Sequence, residues 1–279
     1  MISSGNRLFS PCFLWMTGAL VLFTFAIQPS WNYLVRVYFH NPLESHSIWV
    51  MLLAFFIFLR ESKEIDFRFK DYGNIGLCSA VLFLSLYIAS VIADINLLGA
   101  ILSIGLLGAI IHTLLGWNNL KRILFPLFIL VLSFPITTAI DLALGYEVRL
   151  MASQISFQLL KFMGIARDLV GVNIMLENSI LTVDSSCSGL KTLSVLLIMN
   201  LILGYLFFKE IVWKRVVLII AAIIIAGVAN SLRITTIAVI ANQYGLNHAT
   251  GILHTYSGMM VFALSLILFW PVYVYLEKK

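Results

Sequence analysis

Three side chains in this sequence carry reactive chemistry inside or beside long apolar runs. Cys187 stands in Val183-Asp184-Ser185-Ser186-Cys187-Ser188-Gly189-Leu190-Lys191, a polar stretch that opens one such run. A thiol at the start of a helix feels the positive end of its dipole, which favours thiolate. Arg233 lies within Ala229-Asn230-Ser231-Leu232-Arg233-Ile234. An arginine deep in a bilayer costs ~3 kcal/mol on insertion scales, which makes it a functional candidate. Asn230, three residues earlier, shares its helical face. His254 opens a third run in Gly251-Ile252-Leu253-His254-Thr255-Tyr256-Ser257-Gly258. Imidazole moves protons near neutral pH, and Gly258, one turn on, permits close helix contact. Singly, each has a plain reading: an inert thiol, an arginine that snorkels or pairs with Asp141 or Asp184, an interfacial anchor. Together they are the parts of a cysteine acyl-transfer site. Thiolate attacks a carbonyl, imidazole handles protons, and guanidinium stabilises thiolate or oxyanion.

The elements that carry these residues are membrane helices. Apolar residues make up 61% of the 279-residue chain and charged residues 11%, and the mean hydropathy is +1.00. Too few charges remain to coat a water-facing surface, so the composition excludes a soluble, secreted, disordered or fibrous protein. The net charge of +5 comes without a basic run interleaved with aromatics, so no nucleic-acid partner is expected. Eight candidate spans run about 11–28, 46–60, 74–93, 97–115, 121–143, 187–207, 213–241 and 254–276, in one integral membrane domain covering 1–279. The second is short. The fifth contains Pro126 and Pro135 and is expected to kink. The first resembles a signal peptide but lacks a clear small-x-small cleavage site, and is read as a retained helix.

Loop charge assigns sides. With a cytoplasmic N-terminus, the inner segments hold Arg7; Arg60, Lys63, Arg68 and Lys70; Lys121 and Arg122; Lys209, Lys214 and Arg215; and Lys278 and Lys279. The outer segments hold only Arg36, Arg149, Lys161 and Arg167. That asymmetry is the positive-inside pattern of a cell-membrane protein with both termini cytoplasmic. It puts Cys187, Arg233 and His254 in the same, extracytoplasmic leaflet, Arg233 roughly 12 Å below the surface. The outer loop 144–186 is long. Val148, Met151, Ile155, Leu159, Phe162 and Met163 recur at helical spacing, predicting an amphipathic surface helix. Val172–Leu176 and Ser179–Val183 flank Glu177-Asn178 and predict a hairpin. Cys12 and Cys78 fall near the opposite membrane face from Cys187, so no disulfide joins them.

Cys187-Ser188-Gly189-Leu190, Asn230-x-x-Arg233-Ile234 and His254-x-x-x-Gly258, in that order on the last three helices, resemble the exosortase/archaeosortase family. Phe134-Pro135-Ile136 also fits, and the resemblance covers about residues 120–276. It implies a polytopic helical membrane cysteine transpeptidase, with Cys187 as nucleophile, Arg233 as electrostatic stabiliser and His254 as acid/base, supported by Asn230, Ser188 and Gly189. Lys191 departs from the pattern, where arginine or glutamine is common. The implied substrates are proteins ending in a PEP-CTERM-like motif, a transmembrane helix and a basic tail. Cleavage passes the new carboxyl end to an acceptor, for which membrane lipid is a candidate. No cofactor or metal is implied, and no H-E-x-x-H, P-loop or Cys/His metal spacing occurs. Two other readings stay open: an intramembrane cysteine protease that hydrolyses its substrate, and a transporter or assembly scaffold.

Overall fold

The computed structural model describes residue 24 and residues 27–65, 74–177, 179–207, 212–245 and 252–278, without the side chains of Pro42, Ser186, Val212 and 252–255. The first predicted span lies almost wholly outside the described residues. The rest is an all-α membrane protein with one small sheet. Among the described residues, five helices are long and apolar enough to cross a bilayer, or six if Trp117–Leu132 and Ile136–Phe162 are counted together. Eight spans is therefore an approximate count. Ser47–Ser62, matching the short second one, has only 16 residues, about 24 Å of helix against a hydrocarbon core of about 30 Å.

The chain forms two compact units: residues 1–41 with 47–135, and residues 42–46 with 136–279. In the first, α1 (Gln28–His40) is followed by α2 (Ser47–Ser62), α3 (Asn74–Ile92), α4 (Asn96–Leu115) and α5 (Trp117–Leu132). Helix α1 falls where a plain outer loop was expected. Its polar Gln28, Asn32, Arg36 and His40 recur every fourth residue and break up any apolar run, while Leu34 and Tyr38 on another face are buried with Ala100 and Phe134. The Tyr38 hydroxyl donates to the Ser133 carbonyl at 3.0 Å. Much of α3 exposes apolar side chains, among them Leu77, Val81, Leu82 and Ile88, the surface a lipid-facing helix needs.

In the second unit, α6 (Ile136–Phe162) leads to β1 (Ala166–Val170), β2 (Asn173–Leu176) and β3 (Ile180–Thr182). A 3₁₀ turn at Ser185–Cys187 follows, then α7 (Leu190–Phe207), α8 (Val212–Tyr244) and α9 (Ile252–Glu277). The fifth predicted span, 121–143, is divided: α5 ends at Leu132 and α6 begins at Ile136. Proline disfavours helical backbone at the residue before it and has no N–H to give, so Pro135 sets the break. The predicted amphipathic surface helix is not separate. It is the C-terminal half of the 27-residue α6, since nothing from 144 onward interrupts the helix.

Glu44 completes this junction. Its carboxylate accepts from the Thr138 backbone N–H at 2.7 Å and the Thr138 hydroxyl at 2.9 Å, and it is fully buried. Acid at a helix start satisfies orphan N–H groups and complements the dipole.

The predicted hairpin is present and gains a strand, giving an antiparallel sheet in the order β1-β2-β3. Gly171, with φ 60°, sits first in the two-residue turn between β1 and β2, where a primed turn needs positive φ. One core packs α6, the sheet and α8 together: Leu160, Ile174, Leu181, Val183, Cys187, Ile234 and Ala238 are all buried there. Ser156 on α6 donates to the Ser231 carbonyl on α8 at 3.2 Å, a close approach that small residues allow.

Candidate active site

Cys187 is placed by the turn that ends the sheet. Asp184 caps it: its side chain accepts from the Cys187 backbone N–H at 3.1 Å, as does its own carbonyl. Ser188 closes the turn ahead of the next helix, its hydroxyl donating to the Ser185 carbonyl at 2.9 Å and accepting from the Leu190 N–H at 3.3 Å. Gly189 then takes φ 78°, a left-handed conformation that costs other residues about 1–2 kcal/mol. A Cβ there would also lie 3.0 Å from Cβ and Cγ of Asn230. Glycine is required twice over, for its backbone and for this close approach.

Asn230 fills the space so left. Its amide Nδ2 donates to the Cys187 carbonyl at 2.7 Å, and the residue is 2% exposed. One turn along α8, Arg233 is 9% exposed, and its Nε donates to the Ser257 hydroxyl at 3.0 Å. A terminal nitrogen of the same guanidinium lies 3.8 Å from where a Cβ on Gly258 would stand. Ser257 and Gly258 are three and four residues past His254, so all three share one face of α9. His254 is on the first turn of that helix, and its side chain lies outside the described residues.

The structure thus brings Cys187, Ser188 and Gly189 together with Asn230, and Arg233 follows Asn230 by one turn on the same helix. It sets Arg233 against the α9 face on which His254 stands. Asp141, offered above as a partner for Arg233, instead pairs with Arg149 at 2.9 Å on its own helix. Ser257, which accepts from the guanidinium, was not picked out as a site residue from the sequence, whereas Asp184 stood there as one of three residues able to cap, with Ser185 and Ser186. Ser257's spacing from His254 was the available signal.

Beside Cys187 lies a cavity of about 120 Å³ lined by Leu181, Thr182, Val183, Asp184, Cys187, Ile234 and Ile237. Cys187 itself is 7% exposed. Among the described residues no group of His, Cys, Asp or Glu could hold a metal ion.

A model of the transmembrane exosortase family matches residues 31–271. The chain belongs to the transmembrane exosortase family. The match begins within α1 and reaches into α9, so it takes in both units, where the motif resemblance began near residue 120. No curated protein and no solved structure matches the chain. Membership makes it an integral membrane protein with exosortase-type function, in a family of membrane cysteine transpeptidases.

Proposed function

We propose that this exosortase cleaves membrane-tethered proteins near their C-termini through a thioester on Cys187 and transfers the new carboxyl end to an acceptor nucleophile. Substrates carry a PEP-CTERM-like motif, a transmembrane helix and a basic tail, and the reaction takes place at the extracytoplasmic face. The Cys187 thiolate adds to the scissile carbonyl, giving a tetrahedral oxyanion that the Arg233 guanidinium stabilises. Collapse breaks the C–N bond, and His254 gives the departing amine its proton. The acceptor, for which membrane lipid is a candidate, loses its proton to His254, attacks the thioester carbonyl and frees the thiolate. Asn230 positions the cysteine turn, with Ser188 and Gly189 shaping its exit into α7.

The observation that best supports this reading is that α8 holds the Cys187 turn through Asn230 and, one turn further on, meets α9 through Arg233 and Ser257. Such positioning is what acyl transfer demands of its parts. The test is expression of wild type and Cys187→Ala beside a tail-bearing substrate from the same genome. The alanine variant is expected to leave the substrate at full length. Mature product from it would end the proposal. Mass spectrometry of the wild-type product adds the acceptor mass if transfer occurs, whereas a bare carboxylate would make the enzyme a hydrolase.

A further inference from the structure

β3 is the outermost strand of its sheet, so among the described residues one of its edges has no strand beside it. Ladder parity identifies the groups on that edge. The Leu176 N–H donates to the Ser179 carbonyl at 2.9 Å, and the Val183 N–H to the Val172 carbonyl at 3.0 Å. Residues 179, 181 and 183 therefore direct their main-chain groups at β2, and Ile180 and Thr182 direct theirs away. Side chains alternate as well. Leu181 and Val183 are buried in the core shared with Ile234 and Ile237. Thr182 is exposed, and its hydroxyl donates to Asn173 across the ladder at 2.8 Å. The same three residues, Leu181, Thr182 and Val183, line the cavity beside Cys187, with Ile234 and Ile237 among its other lining residues.

We propose that the cleavage segment of the substrate binds as a fourth strand on the free edge of β3, parallel to it, with alternate side chains read by the cavity at Ile234 and Ile237. The proposal rests on the cysteine chemistry above and specifies how the peptide reaches it. Direction follows from the chain: β3 runs through Cys187 into the membrane helix α7, and the substrate segment likewise runs into its own tail helix. A parallel strand therefore carries the peptide past Thr182 toward Cys187, five residues further on. In that register the Thr182 N–H donates to the carbonyl of one substrate residue, and the Thr182 carbonyl accepts from the N–H of the residue two further on. Both of these substrate side chains lie on the Leu181/Val183 face, toward the cavity, and the residue between them points away. Main-chain pairing supplies affinity, and the pocket supplies selectivity with a period of two.

The edge is tested with Thr182→Pro and Thr182→Val. Proline is tolerated on an edge strand where its missing N–H faces away from the ladder, so the sheet should persist. Thr182→Pro is expected to slow processing of the tail-bearing substrate about tenfold, the worth of one hydrogen bond. Thr182→Val keeps the main-chain N–H and should lose clearly less than Thr182→Pro, and a small thiol reagent should label Cys187 equally in all three. Wild-type processing by Thr182→Pro would overturn the proposal while leaving the cysteine chemistry intact, and that chemistry is checked separately by Cys187→Ala. If Thr182→Pro loses labelling as well as processing, the sheet has collapsed. Bulky substitutions stepped through the substrate segment of the wild-type pair then decide: losses at every second position support the added strand, and uniform losses overturn it.

Discussion

The side-chain amide of Asn230, midway along α8, holds the main-chain carbonyl of Cys187 at 2.7 Å. A buried amide on one helix thereby fixes the turn that presents the sulfur, one helical turn before the guanidinium of Arg233. Asn230→Ala would take the buried amide donor from that carbonyl, at a cost of about 1–3 kcal/mol. Processing should fall about tenfold or more in a substrate-cleavage assay, with protein level and membrane insertion retained. Asn230→Asp should fare no better, because a carboxylate offers an oxygen where a donor is needed.

Gly189 is the tightest point beside it. Gly189→Ala forces a Cβ onto Asn230 and a left-handed φ onto alanine. A loss of about 2–3 kcal/mol follows from the two together. Thermal unfolding in detergent should shift down by several degrees, and processing should fall with it. An alanine variant as stable and active as wild type would contradict the packing described.

Arg233 and Ser257 make a graded pair. Arg233→Ala removes the cation proposed to face the oxyanion and should cost about 10²–10³ in kcat, the range seen when one such donor is lost. Arg233→Lys keeps the charge but loses the planar guanidinium whose Nε meets Ser257, and should recover only part of the rate. Ser257→Ala is expected to cost about tenfold, because the guanidinium persists without its anchor. Single-turnover kinetics on one substrate separates the three.

Glu44 and Thr138 give a prediction about folding rather than chemistry. Glu44→Ala leaves the Thr138 N–H without its acceptor and a void in its place. Roughly 2–4 kcal/mol of stability should be lost. Urea or thermal denaturation of the purified protein should show this loss directly. Glu44→Gln keeps an acceptor oxygen and should lose less.

The sheet loop bears on the fate of the thioester. If the 144–186 segment limits water at the thioester, shortening it should raise the hydrolysed fraction of product relative to the transferred fraction. Product masses measure the ratio, and an unchanged ratio would refute the role.

The features legible in the sequence were those with a local signature. Cys187, Asn230, Arg233 and His254 stood out because polar residues are conspicuous in apolar runs, and the hairpin because Glu177-Asn178 punctuates two short apolar stretches. What escaped was set by tertiary context. Strand β1 carries Arg167 and Asp168 at an irregular point in its pairing with β2, which erases the alternation. Helix α1 hides its buried Leu34 and Tyr38 among polar residues. Glu44 resembles any loop acid until Thr138, 94 residues away, is placed against it.

That last separation has a consequence for biosynthesis. Residues 42–46 leave the ribosome long before the helix they belong with, and the hydrophobic segments made in between have to be accommodated first. The second unit therefore cannot close the N-terminal cap of α6 until early and late parts of the polypeptide have met. A fragment starting at Pro135 would keep the cysteine, arginine and histidine yet begin on a bare helix end; supplying the missing 42–46 stretch in trans is the natural attempt at repair.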